Sequence, residues 1–207
     1  MTGLALPDGP AVVLASGSSA RAALLRAAGV PFVVVPALVD EASLREALHG
    51  EGVATADAAT ALAEMKAQHV AARVPPEAIV LGADQLLEVD GRWLEKPADR
   101  AAAADQLRQL RGRRHRLVSA VVAFRGGARV WHDVDAATVT MRPFSDAFLA
   151  AYLDAAGTAV LTSVGAYQLE GLGAQLMARV EGAHATVLGL PLLPLLQFLR
   201  DQAVLPA

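Results

Sequence analysis

The residues best placed for chemistry are a serine-rich loop, two acidic positions, two lysines and a run of arginines. The loop Ser16-Gly17-Ser18-Ser19 joins an apolar segment, 11–15, to the start of an amphipathic one. Free backbone N–H groups at a helix start, and the positive end of its dipole, favour an anion there. Arg21, one turn further on, can grip a phosphate with two parallel N–H donors. The loop has neither the GxxxxGK[ST] spacing of a P-loop nor the GxGxxG of a dinucleotide fold, and an ordinary helix cap beside a surface arginine would use the same residues. Asp84 ends the apolar run 79–83, where a carboxylate can bind a divalent cation or take a proton from water. Beginning a turn is its plainer use. Asp40-Glu41 stands in the same way after the apolar segment 31–36. It can add oxygen ligands of the kind magnesium prefers, or simply cap a helix. The run Arg111-Gly112-Arg113-Arg114-His115-Arg116 can bind phosphate or nucleic acid, or be a solvated turn.

The lysines stand out against the composition. The chain has 18 Lys plus Arg, of which only Lys66 and Lys96 are lysine, with a single Ile and no Asn. That pattern fits GC-rich coding, under which a neutral surface lysine drifts to arginine; two retained lysines then suggest a use, or chance. A net charge of −3 and a pI of about 5.9 argue against a dedicated nucleic-acid binder. Aromatics at 4% leave few rings to stack on bases. The absence of cysteine excludes disulfide scaffolds, thiol catalysis and cysteine-ligated zinc. Five histidines show no HExxH spacing, and no GxSxG elbow occurs. At 54% hydrophobic and 19% charged, the chain is expected to fold. No apolar run reaches the ~18 residues of a membrane span, and no basic n-region precedes an apolar stretch. A soluble, cytoplasmic protein is expected.

These residues need elements to hold them. The spacing predicts a strand over 11–15, a helix from Ser18 or Ser19 to Gly29, and a second strand over 31–36. An Ala-rich helix over 55–73 has a Thr cap and ends at Pro75-Pro76. A buried strand over 77–84 delivers Asp84 at its end, and two short strands flank Asp90-Gly91 over 86–96. A helix over 98–110, a long hairpin over 114–141 turning at Gly126-Gly127, a helix over 145–156 capped by Ser145, a glycine-rich segment over 163–174 and a helix after Pro191 complete the chain. The alternation implies an α/β or α+β fold with a mixed sheet and flanking helices. With no repeat and no linker, residues 1–207 read as a single domain.

Several blocks, in order along nearly the whole chain, resemble the Maf family of nucleoside triphosphate pyrophosphatases. LASGSSARAALL resembles that family's LASxSPRRxxLL opening, and Asp40-Glu41 its DE pair. LAEMKA places Lys66 at the lysine of LAxxKA. GADQLLEVDGRWLEKP resembles GADxVVxxDGxxxxKP, aligning Asp84, Lys96 and Pro97, and LRQLRGRRHRLVSAV resembles LxxLxGxxHxVxT. The resemblance implies a Maf/ITPase-like fold, an elongated mixed sheet with two lobes around a central cleft. It allows a homodimer. It implies hydrolysis of a nucleoside triphosphate to monophosphate and pyrophosphate with a divalent metal, Mg2+ or Mn2+. Asp84 would activate water, Glu41 and Asp84 would hold the metal, and Ser16, Ser18, Arg21, Lys66 and Lys96 would hold the triphosphate. The expected partner is therefore a small substrate, with no membrane and no stable nucleic acid. A catalytically weak nucleotide- or nucleic-acid-binding regulator linked to cell division is the alternative.

Two positions bear on the base. Gln85 and Glu170 resemble the branch that acts on 7-methylated GTP more than the pyrimidine-acting branch, which has Thr and Gln there. A carboxylate can accept hydrogen bonds from the N1–H and 2-amino group of guanine. A structural acid in the loop is the plainer use of Glu170. The chain departs from the family at Ala20, where the first of two arginines is expected, and at Ser19, where proline is expected. Arg26 and the 111–116 run are the nearest candidates to replace that charge.

Overall fold

Alternating apolar stretches and capped Ala-rich segments become strands and helices in the computed structural model, which describes residues 6, 7 and 9–207. The described residues divide into two compact units. Seven strands hydrogen-bond in the order β2-β1-β3-β5-β6-β7, with β4 on β3. This mixed sheet and its helices make the fold α/β, as expected. Strands β3 (Ile79–Val89), β5 (Arg114–Arg125) and β6 (Ala128–Met141) each contribute residues to both units.

The first unit takes residues up to 85, 119–135 and 184–207. Here β1 (Val12–Leu14) pairs in parallel with β2 (Val33–Val34) and with the start of β3, Leu14 opposite Leu81. Helix α1 (Ser19–Ala27) is capped by Ser18, and α2 (Glu41–Gly50) by Asp40. Helix α3 is Thr55–Ala71, α6 is His184–Val187 and α7 is Leu192–Asp201. Side chains alternate across a strand. Ile79, Leu81 and Ala83 therefore enter one core with Leu25, Phe198 and Leu199, where Trp131 stacks on Phe198 at 4.8 Å between centroids. Val80, Gly82 and Asp84 point the other way. Gly82 meets α3 so closely that a Cβ would fall on the Ala63 carbonyl and lie 2.8 Å from the Ala67 nitrogen.

The second unit takes residues 86–118 and 136–183. The end of β3 folds back on β4 (Arg92–Leu94), Leu87 opposite Leu94. Asp90 and Gly91 both have positive φ, 49° and 72°, the requirement of a two-residue hairpin turn. Helix α4 (Arg100–Leu110) is capped by Asp99, and α5 (Asp146–Ala156) by Ser145. The glycine-rich stretch forms short 3-10 turns leading into β7 (Met177–Glu181), which pairs antiparallel with β6.

Two expectations need correction, and one helix had not been predicted. Strand β3 does not end at residue 84: it runs on through residue 89, so Asp84 sits mid-strand. Its site opens because β1 stops; after Ala15 donates to the Leu81 carbonyl at 2.8 Å, the chain turns into the serine loop. Thr55 is the first residue of α3; the cap is Ala54, which offers no side-chain hydrogen bond. Residues 41–50 form a helix for which the sequence offered only a cap at Asp40-Glu41 and no stated span. Among the described residues no helix is long and apolar enough to cross a membrane.

Candidate functional site

Ser18 has the extended backbone of an N-cap, φ −71° and ψ 117°, and its hydroxyl accepts from the Arg21 amide at 3.3 Å. The Ser16 hydroxyl accepts from the Ser18 amide at 3.3 Å and from Arg21 Nη1 at 3.1 Å. Arg21 Nε donates to the Gly189 carbonyl at 2.8 Å. The guanidinium is buried, and loss of solvent pulls its pKa below the ordinary arginine value while the carboxylates of Asp84 and Glu41 oppose that pull. Its charge therefore stands within reach of both acids. A Cβ on Gly189, at φ +97°, would lie 3.3 Å from the guanidinium, so glycine there leaves Arg21 its place.

On the face of β3 that meets α3, Lys66 Nζ lies 2.5 Å from Asp84 Oδ1 and 2.7 Å from Glu41 Oε2. Asp84 is 4% exposed and Lys66 6%. An ion pair this dry survives only with good geometry, because both charges have given up hydration. The close approach at Gly82 brings α3 near enough for Lys66 to bridge. Asp84 Oδ2 is buried and has no partner among the described residues, so it is free to accept from a water or to ligate a cation. Of the acidic pair, Asp40 is the helix cap, accepting from the Ser43 amide at 3.1 Å and hydroxyl at 2.7 Å, and these bonds hold its pKa below the usual carboxylate value. Glu41, the first helical residue, is the one that reaches Lys66. Among the described residues no group of three or more His, Cys, Asp or Glu could hold a metal; Glu41 and Asp84 are two.

Gln85 leaves the opposite face of β3. Its amide nitrogen approaches Ser119 Oγ at 3.0 Å, the Thr186 carbonyl at 2.9 Å and the Val187 carbonyl at 3.1 Å. Ser16, Ser18, Arg21, Glu41, Lys66, Asp84 and Gln85 thus all lie in the first unit. Lys96 and Glu170 lie in the second, both exposed, Lys96 just beyond β4 and Glu170 in the glycine-rich segment. That segment is tied down by a buried pair, His115 Nε2 and the Tyr167 hydroxyl at 2.7 Å. In the basic run, Arg111 pairs with Asp146, Arg113 with Asp90, Arg114 with Glu181 and Arg116 with Glu88. Arg26 is exposed and sits over the Phe32 ring, 5.5 Å from its centroid.

Sequence reasoning missed Gly82, Ser119, Asp135, Thr186 and Gly189. Gly82 carried a signal, a glycine inside a strongly apolar strand, which marks close backbone approach. The others act through carbonyls and long-range hydrogen bonds that no local spacing announces.

Comparison with known proteins gives the family. The Maf-like protein family model matches residues 11–202. A protein of Paramagnetospirillum magneticum named nucleoside triphosphate pyrophosphatase is 55% identical over 193 residues, 93% of this chain and 99% of that protein. One of Rhodospirillum rubrum with the same name is 49% identical, over 95% of this chain and 96% of its own. A protein of Rhizobium meliloti named 7-methyl-GTP pyrophosphatase is 47% identical, over 96% and 99%. With the family model and relatives of this identity spanning nearly its whole length, the chain belongs to the Maf family.

Proposed function

We propose that this chain hydrolyses a nucleoside triphosphate to the monophosphate and pyrophosphate. The observation that carries the reading is the Asp84–Lys66–Glu41 chain, its first two members buried, in the same unit as the Ser16–Ser18–Arg21 anion loop. A triphosphate brings about four negative charges, and catalysis at phosphorus is mainly positioning and charge stabilisation. The serine loop, Arg21 and Lys66 answer that demand. Lys96 is assigned to the same task by its place in the LEKP block. Asp84 is the base: its carboxylate takes a proton from water, the water oxygen bonds to phosphorus, and the anhydride electron pair leaves with pyrophosphate.

A divalent cation, Mg2+ or Mn2+, suits Glu41 and Asp84. Both are hard oxygen donors, one Asp84 oxygen has no partner among the described residues, and magnesium characteristically takes one or two carboxylates with substrate phosphates and water. Such an ion would neutralise phosphate charge. Glu170 is the residue we assign to the base, favouring a guanine type, 7-methyl-GTP included. A cytoplasmic role in clearing modified nucleotides from the pool accords with that substrate. The reading as a nucleic-acid-binding regulator draws less support, because each arginine of the 111–116 run already has an acidic partner.

The test is pyrophosphate release from a panel of triphosphates, 7-methyl-GTP included, with magnesium or manganese. Pyrophosphate is the expected product. Orthophosphate in its place would make the chain a phosphatase, and no release from any substrate would remove the hydrolase reading.

A further inference from the structure

Gln85 adjoins the catalytic candidate in sequence but not in space. Strand alternation sends Asp84 toward α3 and Gln85 toward the C-terminal end of α6. There the Gln85 amide nitrogen is engaged by Ser119 Oγ and by the carbonyls of Thr186 and Val187. Ser119 itself donates to the Thr186 carbonyl at 2.8 Å, and the Thr186 hydroxyl donates to Asp135 at 2.5 Å. Thr186 and Ser119 are fully buried. Three residues after Thr186, the chain presents the Gly189 carbonyl that holds Arg21 Nε, and Arg21 in turn reaches Ser16.

We propose that Gln85 is a positioning residue for the triphosphate site rather than a reader of the base. With Ser119, Thr186 and Asp135, it fixes the 186–189 turn, whose Gly189 carbonyl aims the Arg21 guanidinium at the serine loop. The inference rests on the reading of that loop as the triphosphate site. Burial makes the clamp strong. Two N–H donors of the half-buried Gln85 face three acceptors; without the amide the Thr186 carbonyl keeps Ser119 and the Gly189 amide, while the Val187 carbonyl loses this donor and the turn loses its tie to β3. Arg21 needs that aim: with Ala20 beside it, no second arginine on this turn shares the load.

Binding of inorganic tripolyphosphate, which has no base, separates the two roles. Calorimetry on the full chain at fixed magnesium would compare wild type with Gln85→Leu, Thr186→Val and Thr186→Ser. The expected result is a Kd about tenfold weaker for Gln85→Leu and Thr186→Val, with Thr186→Ser within about twofold of wild type because it keeps the hydroxyl on Asp135. In turnover, KM should rise by the same factor for every triphosphate in the panel, with kcat little changed. Amide exchange at 188–190 should quicken in both weakened variants. Unaltered tripolyphosphate binding with an altered base ratio would overturn the proposal and return Gln85 to the base. If Gln85→Leu does not fold, Gln85→Asn decides, because its shorter amide falls short of the Thr186 and Val187 carbonyls. Binding needs no turnover, so weakened variants support the inference even if wild type releases no pyrophosphate. Unchanged binding overturns it even in an active enzyme.

Discussion

Asp84 is a carboxylate with one oxygen paired and the other without a partner among the described residues, the arrangement that the proposed role as base requires. Asp84 Oδ1 is held by Lys66, which fixes the side chain, while Oδ2 is left as an acceptor. Asp84→Asn keeps the shape and leaves Lys66 its bond to Glu41, so the fold should survive. Turnover should fall by about a hundredfold or more, the usual worth of a positioned base. Near-wild-type pyrophosphate release from a folded Asp84→Asn protein would remove Asp84 from that role. Glu170 is a different case, an exposed acid in the second unit. Glu170→Gln trades two acceptors for one acceptor and a donor, so the preference for guanine-type bases should drop about tenfold, read as a ratio of kcat/KM values. An unaltered ratio would show that Glu170 does not read the base.

At the level of elements, the distance between β3 and α3 decides whether the ion pair forms. Gly82 sets it, with Ala63 and Ala67 fully buried on the helix face it meets. Gly82→Ala puts a methyl group against helix backbone that has no flexible end to yield. The cost should be about 1–3 kcal/mol in a denaturant melt, with activity reduced because Lys66 moves with its helix. Wild-type stability and activity together would mean that α3 shifts freely, and the spacing would not be the control. Helix ends matter in the same way. Ser18 and Asp40 cap α1 and α2, and each cap orients a functional neighbour, Arg21 in the first turn of one and Glu41 at the start of the other.

For the molecule as a whole, one buried imidazole ties stability to pH. Desolvation pushes the His115 pKa down to about 4 from the ordinary 6.5. Between those values the unfolded chain binds a proton that the folded chain refuses. The neutral ring is therefore no penalty above about pH 6.5, and stability falls as pH drops toward 4, by up to about 3 kcal/mol. His115→Gln keeps a hydrogen-bonding group toward Tyr167 and does not titrate. Its denaturation midpoint should be flatter across that window than that of wild type. The same slope in both proteins would place the pH dependence elsewhere. The family match over residues 11–202 and the net charge of −3 agree with an enzyme on a small anionic substrate better than with a nucleic-acid binder.

The sequence by itself determined what depends on near neighbours. Ser18 before an amphipathic run, Asp90-Gly91 between apolar stretches and Gly126-Gly127 in a long alternating segment each state their element locally, and the structure has them all. The chemistry-bearing types were legible for separate reasons: Asp84 and Glu41 follow apolar segments, Lys66 is one of two lysines in an arginine-leaning chain, Arg21 follows a helix-start loop, and the ordered blocks resemble one family. Only the tertiary structure decided which acid of Asp40-Glu41 pairs with Lys66. That depends on how α2 starts, since one side chain must satisfy orphan amides and the other is then free to turn toward Lys66. It also decided that Asp84 lies mid-strand, because a neighbour's ending, and not its own, opens the sheet there. And it parted Asp84 from Gln85, adjacent in sequence yet sent by the pleat to opposite faces, where partners about twenty and a hundred residues distant define what each can do.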